Sequence, residues 1–225
     1  MSAISAEARY EAKREAAPAV GAALAVLVGL ALASWAEGWE LLHRVEWWVW
    51  LLLALPEAVL LVDLLLGAGL ARTRRLALVL LGFLVACNAA GLGILVAGLV
   101  TTNTDELGGG ELLLTGSALW ITNVIVFGLW FWEIDDAGPV ARAVRGRMAP
   151  DFQFPQDENP GLAREGWIPQ VWDYLYVALT NSIAFSPTDA MPLTRHAKAL
   201  MALGSLISVI AVLLVGARAV NVLGS

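Results

Sequence analysis

Cysteine occurs once in this chain, at Cys87, and histidine twice, at His43 and His196. A single thiol excludes an intrachain disulfide and a cysteine-based metal site. The two histidines stand in different loops with no i,i+4 pairing, which excludes a histidine zinc site of the usual spacing. Lysine is also scarce, two residues against twelve arginines, and with Ala and Leu dominant this composition points to a GC-rich bacterial genome. Charged residues make up only 15% of the chain, and the net charge is -6. The basic residues sit in separated clusters at the ends of apolar blocks, so they do not form a nucleic-acid surface. Gly108-Gly-Gly110 lacks the following Lys-Ser/Thr of a phosphate loop and reads as a turn. Ser186 and His196 fit no nucleophile–base spacing. With no catalytic constellation, metal set or cofactor motif, the chain does not read as an enzyme.

What the chain has in quantity is apolar residues, 59% of 225, with a mean hydropathy of +0.71. They lie in long blocks rather than in amphipathic stripes, which indicates an all-α, polytopic transmembrane helix bundle in one membrane domain, residues 1–225. Spans are predicted over residues 19–36, 47–66, 76–100 and 112–132. Residues 1–17 form a mixed-charge cytoplasmic segment, not a signal peptide, because no A-x-A site closes the following block. Residues 133–170 form a cytoplasmic loop with prolines at 139, 150, 155, 160 and 169. Within it, a short helix through Met148 is expected to lay Val140 and Val144 on the membrane while Arg142, Arg145 and Arg147 meet anionic headgroups. Phe152-Gln-Phe154-Pro-Gln156 reads as an extended, partly apolar strap, and the whole loop as tucked under the bundle. The last span lies within 192–223.

Lys and Arg counts set the orientation. With the N-terminus inside, Arg9, Lys13, Arg14, Arg72, Arg74, Arg75, Arg142, Arg145, Arg147 and Arg164 are cytoplasmic, whereas only Arg44 is outside through the first four spans. Trp35, Trp39, Trp47 and Trp48 on one side, and Trp130, Trp132, Trp167 and Trp172 on the other, form two interfacial belts. The expected location is therefore a bacterial inner membrane with the N-terminus in the cytoplasm. The bilayer is the partner, and further copies of the chain are compatible with it. Residues 168–185 leave two alternatives. Length and periodicity favour a full crossing and six spans, the expected arrangement. The charges of Arg195 and Lys198 favour five spans plus a re-entrant segment.

Polar residues inside these blocks are the functional candidates, because they are costly in lipid. Asp173, Tyr176 and Thr180 share one helix face, and with Asn181 they suggest a polar path. Ser186-Pro-Thr-Asp189 reads as a helix start, Ser186 capping and Asp189 closing the box, with exposed N–H groups as an ion site. Glu57 lies in the middle of the second span, where a carboxylate costs about 2.5–3.5 kcal/mol, so it needs a partner, a cavity or a proton. Its expected neighbours are Asn88, Asn123 or Asn181. Asp63 is expected to form a structural ion pair with Arg74 or Arg75 in the run Arg72–Arg75. Ala86, Ala90, Gly93 and Ala97, like Gly204 and Ser208, read as close-packing positions. The expected function is a channel- or transporter-like conduit for an ion or small polar solute. The alternative is a non-conducting scaffold or accessory protein.

Two resemblances bear on this. Thr180 to Leu200 resembles the pore loop and inner helix of two-transmembrane potassium channels: Ser182-Ile-Ala-Phe-Ser186 falls where that family has Thr-Val-Gly-Tyr-Gly. Asp189, Pro192-Leu193 and Arg195 follow in order. Ala184 and Ser186 replace the two filter glycines, and those channels place this loop outside, so potassium selectivity is not implied. Trp132-Glu-Ile-Asp135 with Gly138-Pro139, Asp151-Phe-Gln-Phe-Pro-Gln156, Asp173-Tyr-Leu-Tyr176, and Ala184-Phe-Ser-Pro-Thr-Asp189 with Met191-Pro-Leu193 are similar to a family of uncharacterised bacterial multi-pass membrane proteins. That resemblance covers nearly the whole chain and implies a membrane fold without an activity.

Overall fold

Apolar blocks rich in Leu and Ala become helices for two reasons. Straight-chain side chains lose little rotamer freedom there, and a helix satisfies its backbone groups without water. The computed structural model describes residues 12, 14–38, 46–66, 74–101, 109–184 and 189–223; Ser186 and Arg72 lie outside them. The helices are α1 (Ala17–Glu37), α2 (Trp48–Leu66), α3 (Arg74–Thr101), α4 (Gly109–Ile134), the short α5 (Pro139–Arg145) and α6 (Pro155–Glu158), α7 (Val171–Ala184) and α8 (Arg195–Leu223). Five of them, α1 to α4 and α8, are long and apolar enough to cross a membrane. Two short strands, β1 (Phe152–Gln153) and β2 (Met191–Pro192), pair antiparallel with Phe152 opposite Pro192.

The bundle is built around α4. Helices α1, α3, α7 and α8 all pack on it, α2 packs on α1 and α3, and α7 also packs on α8. Accordingly 67% of the apolar stretch of α4 is buried, against 33% to 39% in the other four long helices. Two close approaches make this possible. A Cβ on Gly128 of α4 would lie 2.9 Å from Leu175 Cα, and one on Gly204 of α8 would lie 3.2 Å from the Phe127 ring.

The segment expected to cross as a sixth span does not do so. Its helix, α7, has 14 residues, about 21 Å at ~1.5 Å per residue, against a hydrocarbon thickness of ~30 Å. Its direction is equally decisive. At the start of α7, Tyr174 Oη donates to Asp135, just past the end of α4. Just before α8, Thr194 Oγ1 donates to Asp151 Oδ1 at 2.7 Å, and Asp151 Oδ2 accepts the Asp136 N–H at 3.3 Å. Both helices therefore begin at the same end of α4 and run alongside each other. Asn181 Nδ2 donates to Met201 O at 2.9 Å, and Ser205 Oγ donates to Asn181 O at 3.2 Å. The chain enters the bundle as a half-helix and returns to the same end. Five long helices plus a re-entrant segment is the observed arrangement. Arg195 and Lys198 carried the correct signal, and length misled because residues 168–170 belong to the loop.

Between α4 and α5 the chain turns through Asp136 (φ 48°) and Ala137 (φ 65°). The left-handed region costs a non-glycine residue about 1–2 kcal/mol. Asp136 is held there by its hydrogen bonds, whereas Ala137 is exposed. Ala137→Gly is therefore expected to raise stability by about 1 kcal/mol, allowing for the greater freedom of glycine in the unfolded chain. A higher midpoint of thermal unfolding in detergent checks it, and a lower one would show that the turn is not strained.

Candidate functional site

One end of the bundle carries a buried polar hub. The carboxylate of Asp135, fully buried, accepts four donors from three parts of the chain. The N–H groups of Asp151 and Phe152 reach Oδ1 at 2.6 and 3.0 Å. Arg147 Nη1 at 2.7 Å and the Tyr174 hydroxyl reach Oδ2. Asp136 accepts the N–H groups of Met148 and Ala149 at 2.7 and 3.0 Å and pairs with Arg145 at 3.1 Å. Arg147 continues to Asp157 (Nε to Oδ1, 2.8 Å) and to the Phe152 carbonyl. Burial works against the charge of Arg147, but Asp135, with Tyr174 and Asp157, more than offsets this and holds the guanidinium above its ordinary pKa. Burial, aided by Asp135, pushes the Tyr174 hydroxyl well up, so it remains a neutral donor.

The last carbonyls of α4 are capped from elsewhere in the chain. Arg142 Nη1 takes Trp132 O and Asp135 O, and Arg74 takes Glu133 O at 3.2 Å and Ile134 O at 3.0 Å. Two cations at a helix C-terminus complement its negative dipole end. Arg142, 2% exposed, also lies 5.1 Å from the centroid of the Tyr174 ring. Tyr174, Phe152, Phe154, Phe131 and Trp167 pack edge-on or tilted against one another. Arg142 and Arg147 thus turn inward, correcting the expectation that they meet headgroups. A buried carboxylate or helix-end carbonyl needs a donor, and these two guanidiniums supply it. Val144 remains exposed, and the strap at Phe152 and Phe154 is buried as the sequence indicates.

Beside the hub, α7 presents an open face. Trp172, Tyr176 and Ile183 are 58%, 51% and 59% exposed, and Asp173 and Thr180 lie at its edge, half-buried. The polar stripe read from the sequence therefore looks out of the chain. Asp173 Oδ2 accepts the Gln170 N–H at 2.7 Å, which fixes the start of the helix. Burial raises its pKa, the Gln170 bond opposes this, and nearby Asp189 adds to the rise. Glu15, which accepts the Val171 N–H, is raised by burial too, with Asp173 among the causes and Arg142 opposing. The structure thus brings Asp173 and Asp189 together at the mouth of the stripe.

No family model matches the sequence, and no curated protein or solved structure matches the chain.

The other candidates lie apart or serve packing. Thr180 Oγ1 donates back to Tyr176 O and Val177 O, and Asn181 joins α7 to α8. Asn123 donates to Gly204 O and Ser208 Oγ, and Asn88 accepts from Thr122. Among the described residues, none of these three amides bonds to Glu57. Glu57 is buried on α2, which packs on α1 and α3, and its Oε2 has no hydrogen-bond partner among the described residues. Asp63 is also buried on α2, Arg75 is exposed at the start of α3, and Arg74 caps α4. A cavity of about 30 Å³ lies between α1, α2, α3 and α4; it is almost wholly apolar, and neither Glu57 nor Asp173 lines it. The small residues Ala86, Ala90, Gly93 and Ala97 are exposed on α3 rather than packed.

Sequence reasoning overlooked the hub. The available signal was charge balance: Asp135, Asp136, Asp151 and Asp157 face Arg142, Arg145 and Arg147 across a proline-rich loop of the right length to fold back.

The raised pKa of Asp173 gives a pH test. Its ionised form is disfavoured in the fold, so this contribution favours the folded state at low pH. It is lost as pH rises through the raised value. Asp173→Asn keeps an acceptor for Gln170, and its stability relative to the parent should improve from acid to neutral pH. Parallel unfolding curves at pH 4 to 8 check the sign; a variant that loses stability relative to the parent as pH rises would reverse it.

Proposed function

We propose that this chain forms part of a conduit for a cation or small polar solute in a bacterial inner membrane, with the hub in the cytoplasm. The re-entrant half-helix carries the reading. Asn181 is level with residues 201 to 205 of α8, about 9–15 Å from Arg195 at ~1.5 Å per residue. The end of α7 thus lies near mid-membrane depth. A helix that stops there has last-turn carbonyls to satisfy: Ser205 takes Asn181 O, and the others require protein or water. Its C-terminal dipole end attracts a cation, and Asp173 and Asp189 stand at the mouth. The sequence of long helix, half-helix, return and long helix agrees with the resemblance of Thr180–Leu200 to a pore loop. The orientation is supported by the described basic residues. Arg14, Arg74, Arg75, Arg142, Arg145, Arg147, Arg164, Arg195 and Lys198 all belong to the hub end, whereas Arg218 lies towards the other.

The scaffold reading draws on the engagement of Thr180, Asn181 and Asn123 in helix contacts and on the small apolar cavity. Reconstitution separates the two. Liposomes containing the protein are expected to pass a monovalent cation or small neutral solute, with flux reduced at least tenfold by Asp173→Asn combined with Asp189→Asn. Folded protein that passes nothing in a panel of such solutes leaves the scaffold. In a Cys87→Ala background, Glu37→Cys should react with an impermeant maleimide in intact cells and Glu158→Cys should not. The reverse pattern would invert the orientation.

A further inference from the structure

The open side of α7 is matched by a second open face on α8. Arg195, Lys198, Ala199, Ala202, Leu206 and Leu213 are all exposed, and at 100° per residue they fall on one side of the helix. This face is basic in its first turn and apolar with small residues beyond. The face of α7 is acidic at its first turn, through Asp173 and neighbouring Asp189, and beyond that carries Tyr176, Thr180 and Ile183. Because α7 and α8 start at the same end of the bundle, the acidic and basic turns lie at the same depth.

We infer that the α7 face of one copy docks on the α8 face of another copy of this chain. Three observations select a second copy as the occupant. First, the α7 end is exposed at membrane depth in the single chain: Ile183 and Ala184 are both open. Lipid cannot satisfy a helix end, so protein must cover it or screen it for water. Second, the charges are complementary, Asp173 and Asp189 against Arg195 and Lys198. Third, copies in a membrane are related by an axis along its normal, so contacting groups must share a depth, which these do. Ala199 and Ala202 allow the helices to approach closely. The α7 stripe is then enclosed between subunits, and the path proposed above is incomplete in one chain. The inference rests on that reading for its purpose, but its test does not depend on flux.

Two differently tagged chains, each Cys87→Ala with one new cysteine, are co-expressed and oxidised in native membranes. Register from Asn181 pairs Tyr176 with the level of Ala199, and Ile183 with the level of Leu206. Tyr176→Cys with Ala199→Cys, and Ile183→Cys with Leu206→Cys, should give a covalent mixed dimer. Tyr176→Cys with Leu213→Cys, wrong in depth, and Tyr176→Cys with Val79→Cys, on α3, should not. Arg195→Glu with Lys198→Glu, both at exposed positions, should shift the mass in nanodiscs or mild detergent towards one chain. Co-expression with Asp173→Lys and Asp189→Lys should restore the assembly. A parent of monomer mass with no cross-link at either matched pair overturns the inference, as does equal cross-linking at the mismatched pairs. Cross-links without flux would keep the interface and remove the conduit; flux from a monomer would do the reverse.

Discussion

Asp135→Asn is expected to cost about 3–5 kcal/mol of stability, the range for removing one partner of a buried ion pair. The change is nearly isosteric, so the loss comes from charge and hydrogen bonding rather than from a cavity. An amide has one acceptor oxygen where the carboxylate has two, and its NH2 group would face Arg147 or the N–H groups of Asp151 and Phe152. Arg147 retains Asp157 and the Phe152 carbonyl, which limits the damage at its own end. The Tyr174 hydroxyl loses its acceptor, so the start of α7 loosens with the loop. Asp157→Asn is the control, because that carboxylate is 22% exposed and meets a guanidinium that is already anchored; it should cost about 1 kcal/mol. Denaturant unfolding in detergent measures both. Equal, small losses would show that the hub is held by its aromatic packing.

Gly128→Ala should also destabilise the fold, less severely than Asp135→Asn and by another route. The new Cβ would sit 2.6 Å from Leu175 Cδ2 and 2.9 Å from Leu175 Cα. A side chain can rotate away, but a backbone atom moves only with its helix, so α7 must lift from α4. Overpacking of this kind costs about 1–3 kcal/mol, and the displaced half-helix should lower flux at least tenfold. Gly204→Ala meets the Phe127 ring at 3.2 Å, which can give slightly, and Gly93→Ala meets nothing within 4 Å. The expected order of stability loss is Gly128, then Gly204, then Gly93, the last near zero or slightly stabilising by helix propensity. Unfolding midpoints give the order. A harmless Gly128→Ala would mean that α7 floats against α4, and the fixed half-helix on which the conduit reading depends would be lost.

The candidate residues show how far a sequence carries such an argument. Asp173, Tyr176 and Thr180 share a face because helical periodicity is local, and the face is present in the structure. Whether it looked into the bundle or out of it depended on which side of α7 met α4 and α8, and Leu175, Val177 and Asn181 decided that. Glu57 is buried, as its central position in an apolar block required. Its expected amide neighbours are instead engaged with Thr122, with Gly204 and Ser208, and with Met201. Three buried asparagines are interchangeable on paper as partners for one carboxylate. Helix rotation and depth choose among them, and neither is written in local spacing.

The membrane class, the helical fold, the four leading spans and the gathering of arginines at one end followed from the sequence by itself. Each depends on a quantity that adds up residue by residue along a contiguous block: transfer free energy, helix propensity, or charge near a span end. The re-entry of α7 and the hub around Asp135 were decided only by the tertiary structure. The donors to Asp135 come from 12, 16, 17 and 39 residues away, and they reach it only after the loop has folded back beneath α4. A half-helix of 14 residues is long enough to enter the bundle and too short to leave by the far side. What held it was the return of the chain through β2 to pair with β1, a contact between segments that carry no local mark of each other.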